Sequence, residues 1–187
     1  MKHLLALLAL ALPLAAADAP KASNTVCPIS GKPVNPSITY AYEGVTYAFA
    51  EDACRTKFVS ARENSLYHKL GGKAAIDAAV DAFYVKVMAD KRVNHFFEDV
   101  SMPKQHRKQK EFLSAAFGGP IPWTGKDMRE AHRDLPDLTD EHFNAIAGHL
   151  QSTLEDLKVD KALIDQVMAI AGSTRADVLY HSKAAKR

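Results

Sequence analysis

The 187-residue chain carries 24 Lys and Arg against 22 Asp and Glu, a formal charge of +2 with histidine neutral; 47% of it is hydrophobic and 25% charged. That balance belongs to a soluble globular protein and excludes a disordered chain, a collagen-like repeat or a coiled-coil rod. The near-neutral charge gives no electrostatic basis for nucleic-acid binding, and two cysteines exclude a disulfide-dense scaffold or a four-cysteine zinc site, while eight histidines leave metal chemistry open.

Met1-Lys2-His3 precedes an apolar run from Leu4 to Leu14, broken only by Pro13, and Ala15-Ala16-Ala17 follow. A basic start, a short apolar stretch and small residues at the exit predict a signal peptide over residues 1–17, with the mature chain beginning near Asp18. The run is too short to span a bilayer comfortably, and no later stretch is long and apolar enough to do so. The expectation is therefore a periplasmic or secreted protein with no stable membrane span once the leader is removed. Without a twin arginine, export unfolded is expected, any cofactor being acquired outside the cytoplasm.

Residues 18–64 are predicted to form a small module. Cys27-Pro28-Ile29-Ser30-Gly31-Lys32-Pro33 is loop chemistry. Ile38–Tyr42 and Val45–Phe49 are β-branched and aromatic runs around Glu43-Gly44, which predicts a hairpin. Glu51 to Arg62 reads as a helix with Cys54 and Phe58 on one face.

From Ser65 onward the hydrophobic period becomes helical, and residues 65–187, ending in a basic tail, form the second domain. Ile76, Ala79, Val80, Phe83, Tyr84, Val87 and Met88 make one stripe. A second helix begins near Pro103, carries Phe112, Leu113, Ala116 and Phe117, and stops at Gly118-Gly119. An ordered loop to Gly125 holds Trp123. Thr139-Asp140-Glu141 caps a helix with Phe143, Ile146, Ala147, Leu150, Leu154 and Leu157 on its stripe. Leu163, Ile164, Val167, Met168 and Ile170 supply a last helix.

Such a domain could be a plain helical bundle, but three features suggest something held inside it. His132 shares an apolar face with Met128 and Leu135; it is either a ligand or a core histidine bonded to a backbone carbonyl. Gln105 and Gln109 lie one turn apart in line with Phe112 and Leu113; they could pair with each other, with water, or form a polar lip over a diatomic ligand. Tyr84 places a hydroxyl in an apolar stripe, where it needs a partner.

Residues 66–179 resemble a group I truncated hemoglobin. The resemblance rests on the order and spacing of Leu70-Gly71-Gly72, Phe83-Tyr84, His95-Phe96-Phe97, Gln105 with Gln109, Ala116-Phe117-Gly118-Gly119-Pro120 and Met128-Arg129-Glu130-Ala131-His132. It implies a mainly α fold, a two-over-two helical sandwich around heme b. By position, His132 is implied as the proximal iron ligand, Phe97 as the residue on the porphyrin face, Tyr84 as the distal hydroxyl, and Gln105 and Gln109 as distal amides. Phe112 and Leu113 are implied to line the pocket or its entrance, with Trp123, His142, Phe143 and Ile146 as cofactor neighbours. Some relatives bind heme covalently through a histidine of the last helix; here that region reads Ser173-Thr174-Arg175, so noncovalent heme is expected. In others a side chain takes the sixth iron position from the place held here by Lys108. A lysine can do so only as the neutral amine; the alternative is a solvated Lys108 in the basic run Lys104, Arg107, Lys108, Lys110, with His106 on the helix flank.

Residues 24–62 resemble a degenerate YHS domain, a metal-associated module, through Cys27–Val34, Tyr42–Tyr47 and Cys54–Phe58. Cys27 and Cys54 then belong either to a metal site completed by other groups or to a disulfide. For the whole chain the resemblances imply reversible binding of O2, and of NO or CO, at ferrous heme iron, for storage, delivery or sensing. The enzymatic alternatives are nitric oxide dioxygenation, which needs a separate and unknown reductant, and weak peroxidase activity. A third reading is a metal-handling or redox interaction protein acting through the YHS-like segment.

Overall fold

In a computed structural model, which describes residues 21–120, 122–135 and 137–180, the hairpin forms around Glu43-Gly44. Both turn residues have positive φ (47° and 80°), the two-residue geometry that matches strand twist. They join β1 (Asn35–Tyr42) to β2 (Val45–Phe49), with Tyr42 opposite Val45 and Tyr40 opposite Tyr47. The register is irregular between Asn35 and Thr39, so β1 starts earlier than its β-branched run. On this sheet lies α1 (Asp52–Glu63), burying Cys54 and Phe58; the Phe58 ring sits 4.7 Å from Tyr47 and 5.2 Å from Phe49. The expected leader (1–17) and the end of the basic tail (181–187) lie outside the described residues.

The helical domain runs through α2 (Leu66–Lys69), α3 (Gly72–Ala89), a 3-10 turn (Asn94–Phe97), α4 (Met102–Ala116), α5 (Met128–Ala131), α6 (Asp140–Asp156), α7 (Lys161–Ser173) and α8 (Arg175–Val178). α3 packs on α4 and on α6, and α6 on α7, which is the two-over-two arrangement. The α3 stripe buries Ile76, Ala79, Val80, Phe83, Tyr84 and Val87. Met88 does not follow them: it is exposed at the end of α3. Leu157 is likewise exposed, where the chain leaves α6 and reverses through Lys158 at positive φ, and Ala116 is exposed in the last turn of α4. A hydrophobic period marks a face but not where the opposing element stops. Thr139 caps α6 with a reciprocal bond: its backbone N–H donates to His142 Nδ1, and the His142 N–H donates to its hydroxyl.

The two parts share one core, in which Tyr42, Tyr47, Phe49 and Phe58 of the module join Tyr67, Ile76 and Phe117. Polar contacts fix the joint. Arg62 Nη1 donates to the carbonyls of Gly118 (2.7 Å) and Gly119 (2.8 Å) at the end of α4, and Tyr47 donates its hydroxyl to the Pro120 carbonyl. Tyr67 donates its hydroxyl to Glu43 Oε2 at 2.6 Å. The chain can turn here because Gly118 has φ 86°, and because a Cβ on Gly119 would lie 2.6 Å from the Ser114 carbonyl oxygen.

One ion-pair cluster predicts how the fold meets acid. Asp90 accepts from Arg92 Nη2 at 2.6 Å and from His149 Nε2 at 2.7 Å, with its side chain only 12% exposed. Arg92 first, and His149 after it, hold its carboxyl below the usual carboxylate range. The unfolded chain therefore binds this proton more readily, so the contribution to stability is complete above about pH 4 and is lost as pH falls below it. Asp90→Asn is expected to lower stability at neutral pH and to flatten its decline between about pH 4 and 2, as read by denaturant unfolding across that range.

Candidate functional site

Tyr84, on α3, is 3% exposed and accepts a hydrogen bond from Gln105 Nε2 of α4 at 3.0 Å. The phenol thus has an acceptor's role filled by the amide and keeps its own hydrogen for a third group. Burial pushes its pKa up, with the Gln105 bond opposing, so it remains a protonated donor at neutral pH. Phe97, at the end of the 3-10 turn, meets the Tyr84 ring edge-on at 5.8 Å. Gln109, one turn beyond Gln105, is half-buried.

His106 departs from the sequence expectation. It is not on the flank: its ring stacks on Tyr84 at 4.6 Å with 18° between planes. Its Nδ1 lies 2.9 Å from Asp81 Oδ1, and Lys110 Nζ donates to the same carboxylate at 3.0 Å. Consecutive residues of α4 therefore reach one tyrosine, Gln105 at the hydroxyl and His106 over the ring. A stripe drawn at every third or fourth residue skips such a neighbour. The available signal was Asp81, three residues before Tyr84 and able to anchor a base on the facing helix.

His132 stands at the C-cap of α5, a single turn rather than a longer helix, which begins where the Asp127 side chain accepts from the Glu130 N–H at 2.8 Å. Its Nδ1 is 2.7 Å from the Met128 carbonyl oxygen. A carbonyl only accepts, so Nδ1 carries a proton, and in the neutral ring Nε2 then holds the lone pair. Of the two sequence alternatives the structure shows the carbonyl bond, and that bond is compatible with a ligand role for Nε2.

The apolar candidates are half-buried: Phe97, Phe112, Leu113, Trp123, Phe143 and Ile146 all keep part of their surface accessible, and α4 has no fully buried residue. Phe112 meets Trp123 edge-on at 5.7 Å; the indole N–H donates to the Lys126 carbonyl, and a Cβ on Gly125 would lie 2.0 Å from the indole ring. Arg175 of α8 lies over Phe143 at 4.3 Å and bonds Asp140. His142 is committed to the cap of α6 and to an edge contact with Phe96. Lys108 is exposed.

In the module, Cys27 and Cys54 are buried free thiols. Burial pushes the Cys27 thiol up, but hydrogen bonds from the Ala50, Ser30 and Ile29 backbone and the Ser30 hydroxyl outweigh it and bring the thiol down to about 6. Burial raises the Cys54 thiol, with the nearby Cys27 sulfur adding to the rise and Ser30 opposing it; its Sγ donates to Glu51 Oε1 at 3.6 Å. Among the described residues no group of three or more His, Cys, Asp or Glu is arranged to hold a metal ion, and no helix is long and apolar enough to cross a membrane.

Residues 65–180 match the bacterial-like globin family. A group 1 truncated hemoglobin of Chlamydomonas moewusii is 51% identical over 116 residues, covering 62% of this chain and 68% of that protein. Another, from Synechocystis, is 48% identical over 121 residues, 62% of this chain and 98% of its own. The crystal structure of the 2/2 hemoglobin of Synechococcus, in the cyanomet state with covalently attached heme, superposes with a TM-score of 0.60 at 52% identity, covering 62% of this chain and 98% of that one. The Fe(III) form of the Tetrahymena pyriformis truncated hemoglobin gives 0.60 at 43% identity, with the same coverage.

Proposed function

Because residues 65–180 make this chain a member of the bacterial-like globin family, a group 1 truncated hemoglobin with heme as its cofactor, we propose that it binds O2 reversibly through His132, Tyr84, Gln105 and Gln109. The residues fit heme on two counts. His132 is set up as a ligand, its Nδ1 bond to Met128 leaving the Nε2 lone pair available. The apolar side chains Phe97, Phe112, Leu113, Phe143 and Ile146 are half-buried, as expected of a lining that a flat apolar group completes. The His132 bond carries the reading.

Heme would supply an iron able to bind a small gas, held by the chain's own residues. The chain does the rest. His132 Nε2 is the proximal donor, and the Met128 carbonyl fixes its tautomer and direction. Tyr84 offers its hydroxyl hydrogen to the gas while accepting from Gln105, and Gln109 is the second amide donor. Phe97, Phe112 and Leu113 would offer the heme apolar surface, and Trp123 packs edge-on against Phe112. NO and CO are ligands of the same site. Ser173-Thr174-Arg175 offers no histidine, so the cofactor is held noncovalently.

The test is an absorption spectrum of the purified protein titrated with heme, oxidised, reduced and with CO. A Soret band saturating at one heme per chain is expected; no Soret band after heme addition overturns the reading. Lys108→Ala is expected to leave ferric and ferrous spectra unchanged across pH, since Lys108 is exposed; an altered spectrum would place its amine on the iron.

The sequence of residues 1–17 supports export, and the reading is completed as a periplasmic or secreted gas-binding protein for storage, delivery or sensing. Nitric oxide dioxygenation would use the same pocket with an external reductant, because the chain has no flavin or nicotinamide fingerprint. The YHS-like reading of residues 24–62 is supported by the neighbouring sulfurs of Cys27 and Cys54, which suit a soft metal or a disulfide. Thiol titration of the native protein showing two free, unligated cysteines would reject both roles.

A further inference from the structure

We propose that His106 is a positioning residue for the distal tyrosine: clamped by Asp81, its imidazole fixes the plane of the Tyr84 ring and thereby aims the hydroxyl at the gas. The inference rests on the globin reading and assigns a task to two residues outside the apolar lining.

A single hydrogen bond locates an oxygen but leaves a phenol free to rock about it. Gln105 supplies that bond to Tyr84 Oη at 3.0 Å. Three rings set the orientation: Phe97 and Phe83 touch Tyr84 edge-on at 5.8 and 5.1 Å, and His106 covers its face at 4.6 Å, nearly parallel. Of these only His106 is itself held by a charged group, through the 2.9 Å contact of Nδ1 with Asp81 Oδ1. Asp81 precedes Tyr84 by one turn on α3, so the clamp leaves α3, takes in a ring of α4, and returns to the tyrosine on the helix where it began. Lys110 Nζ completes it from the next turn of α4, 2.9 Å from Asp81 Oδ1. The exposure gradient fits this order: Asp81 and His106 side chains are 55% and 29% exposed, while Tyr84 is buried.

A cluster that merely stapled α3 to α4 would affect stability and leave the hydroxyl alone. A positioning role alters the geometry of donation, because hydrogen-bond strength falls steeply with misalignment. The C–O stretch of the CO-ligated protein reads that geometry directly, and heme-free protein offers an independent view through the NMR shifts of the Tyr84 ring protons. In the wild type one dominant C–O band is expected, along with upfield ring protons from the stacked imidazole. His106→Leu should add a second, higher-frequency band, abolish the upfield shift, and speed O2 loss about fivefold. His106→Phe, which restores a ring without the Asp81 bond, should recover the wild-type band in part, to about the extent that Asp81→Ala keeps it. Asp81→Ala, an exposed change that keeps the imidazole, should give an intermediate pattern and serves alone if His106→Leu takes up no heme.

Tyr84→Phe is the reference. If it shifts the C–O band while His106→Leu and Asp81→Ala leave it in place, His106 is only a staple and the proposal falls. If Tyr84→Phe leaves the band unmoved, the distal role of Tyr84 itself fails, a separate result. Equal shifts in His106→Leu and His106→Phe also overturn the stacking argument.

Discussion

His132→Ala should leave a folded protein that no longer retains heme. Changing only the partner of a metal-bound histidine costs about 10–100-fold in metal affinity, and removing the donor nitrogen should cost more. The measurement is the rate at which heme passes to an excess of a heme-scavenging protein, expected to rise more than about a hundredfold. Free imidazole should partly restore the wild-type spectrum by occupying the space of the lost ring. The heme-free protein supplies the contrast. His132 is half-buried and spends one bond on the Met128 carbonyl, so its loss should cost the heme-free fold no more than about 1 kcal/mol. A large loss of heme-free stability with unchanged heme retention would mark it as a core histidine instead.

That contrast matters because sequence could pose the question about His132 but not answer it. Composition treats a carbonyl bond and a ligand role as rivals, whereas the Met128 bond occupies only Nδ1 and leaves Nε2 free of it, so the two are compatible. Elsewhere legibility followed the range of the interaction. The turn at Glu43-Gly44 was readable because two adjacent residues determine it. The α3 and α6 stripes were readable because a helix repeats, yet Met88 of the first and Leu157 of the second kept to the period and still reached solvent, since nothing local says where the opposing helix ends.

The joint between module and globin was out of reach for a different reason. Arg62 donates to carbonyls 56 and 57 residues away, and backbone carbonyls carry no sequence signature. The same holds for Tyr47 and the Pro120 carbonyl. His106 lies between these cases: its partner Asp81 is a side chain, so a charge-to-imidazole match across two helices was visible in principle. It is hidden because His106 directly follows Gln105, and a helical stripe repeats only at every third or fourth residue.

Tyr84→Phe isolates the hydroxyl in which these interactions converge. The ring remains, with its contacts to His106, Phe97 and Phe83, so the packing around it is kept. What is lost is the acceptor for Gln105 Nε2 and, on the proposed function, one donor to the gas. O2 in such a pocket takes on negative charge, so the lost bond is of the charge-assisted kind, about 1.5–3 kcal/mol. That corresponds to O2 dissociation roughly 10–150-fold faster, measured by flow mixing of the O2-bound protein with excess CO. CO draws little charge, and its own dissociation should change less than about threefold, since the donated bond is then of the ordinary neutral kind or weaker. Equal acceleration of both gases would mean that the hydroxyl acts by bulk and not by donation. Gln105 complicates the magnitude in a predictable direction. Freed of its acceptor and only half-buried, its amide can turn to the gas and restore part of the bond, so Tyr84→Phe with Gln105→Leu should exceed the sum of the two single effects. A strictly additive pair would show that the amide serves the tyrosine alone.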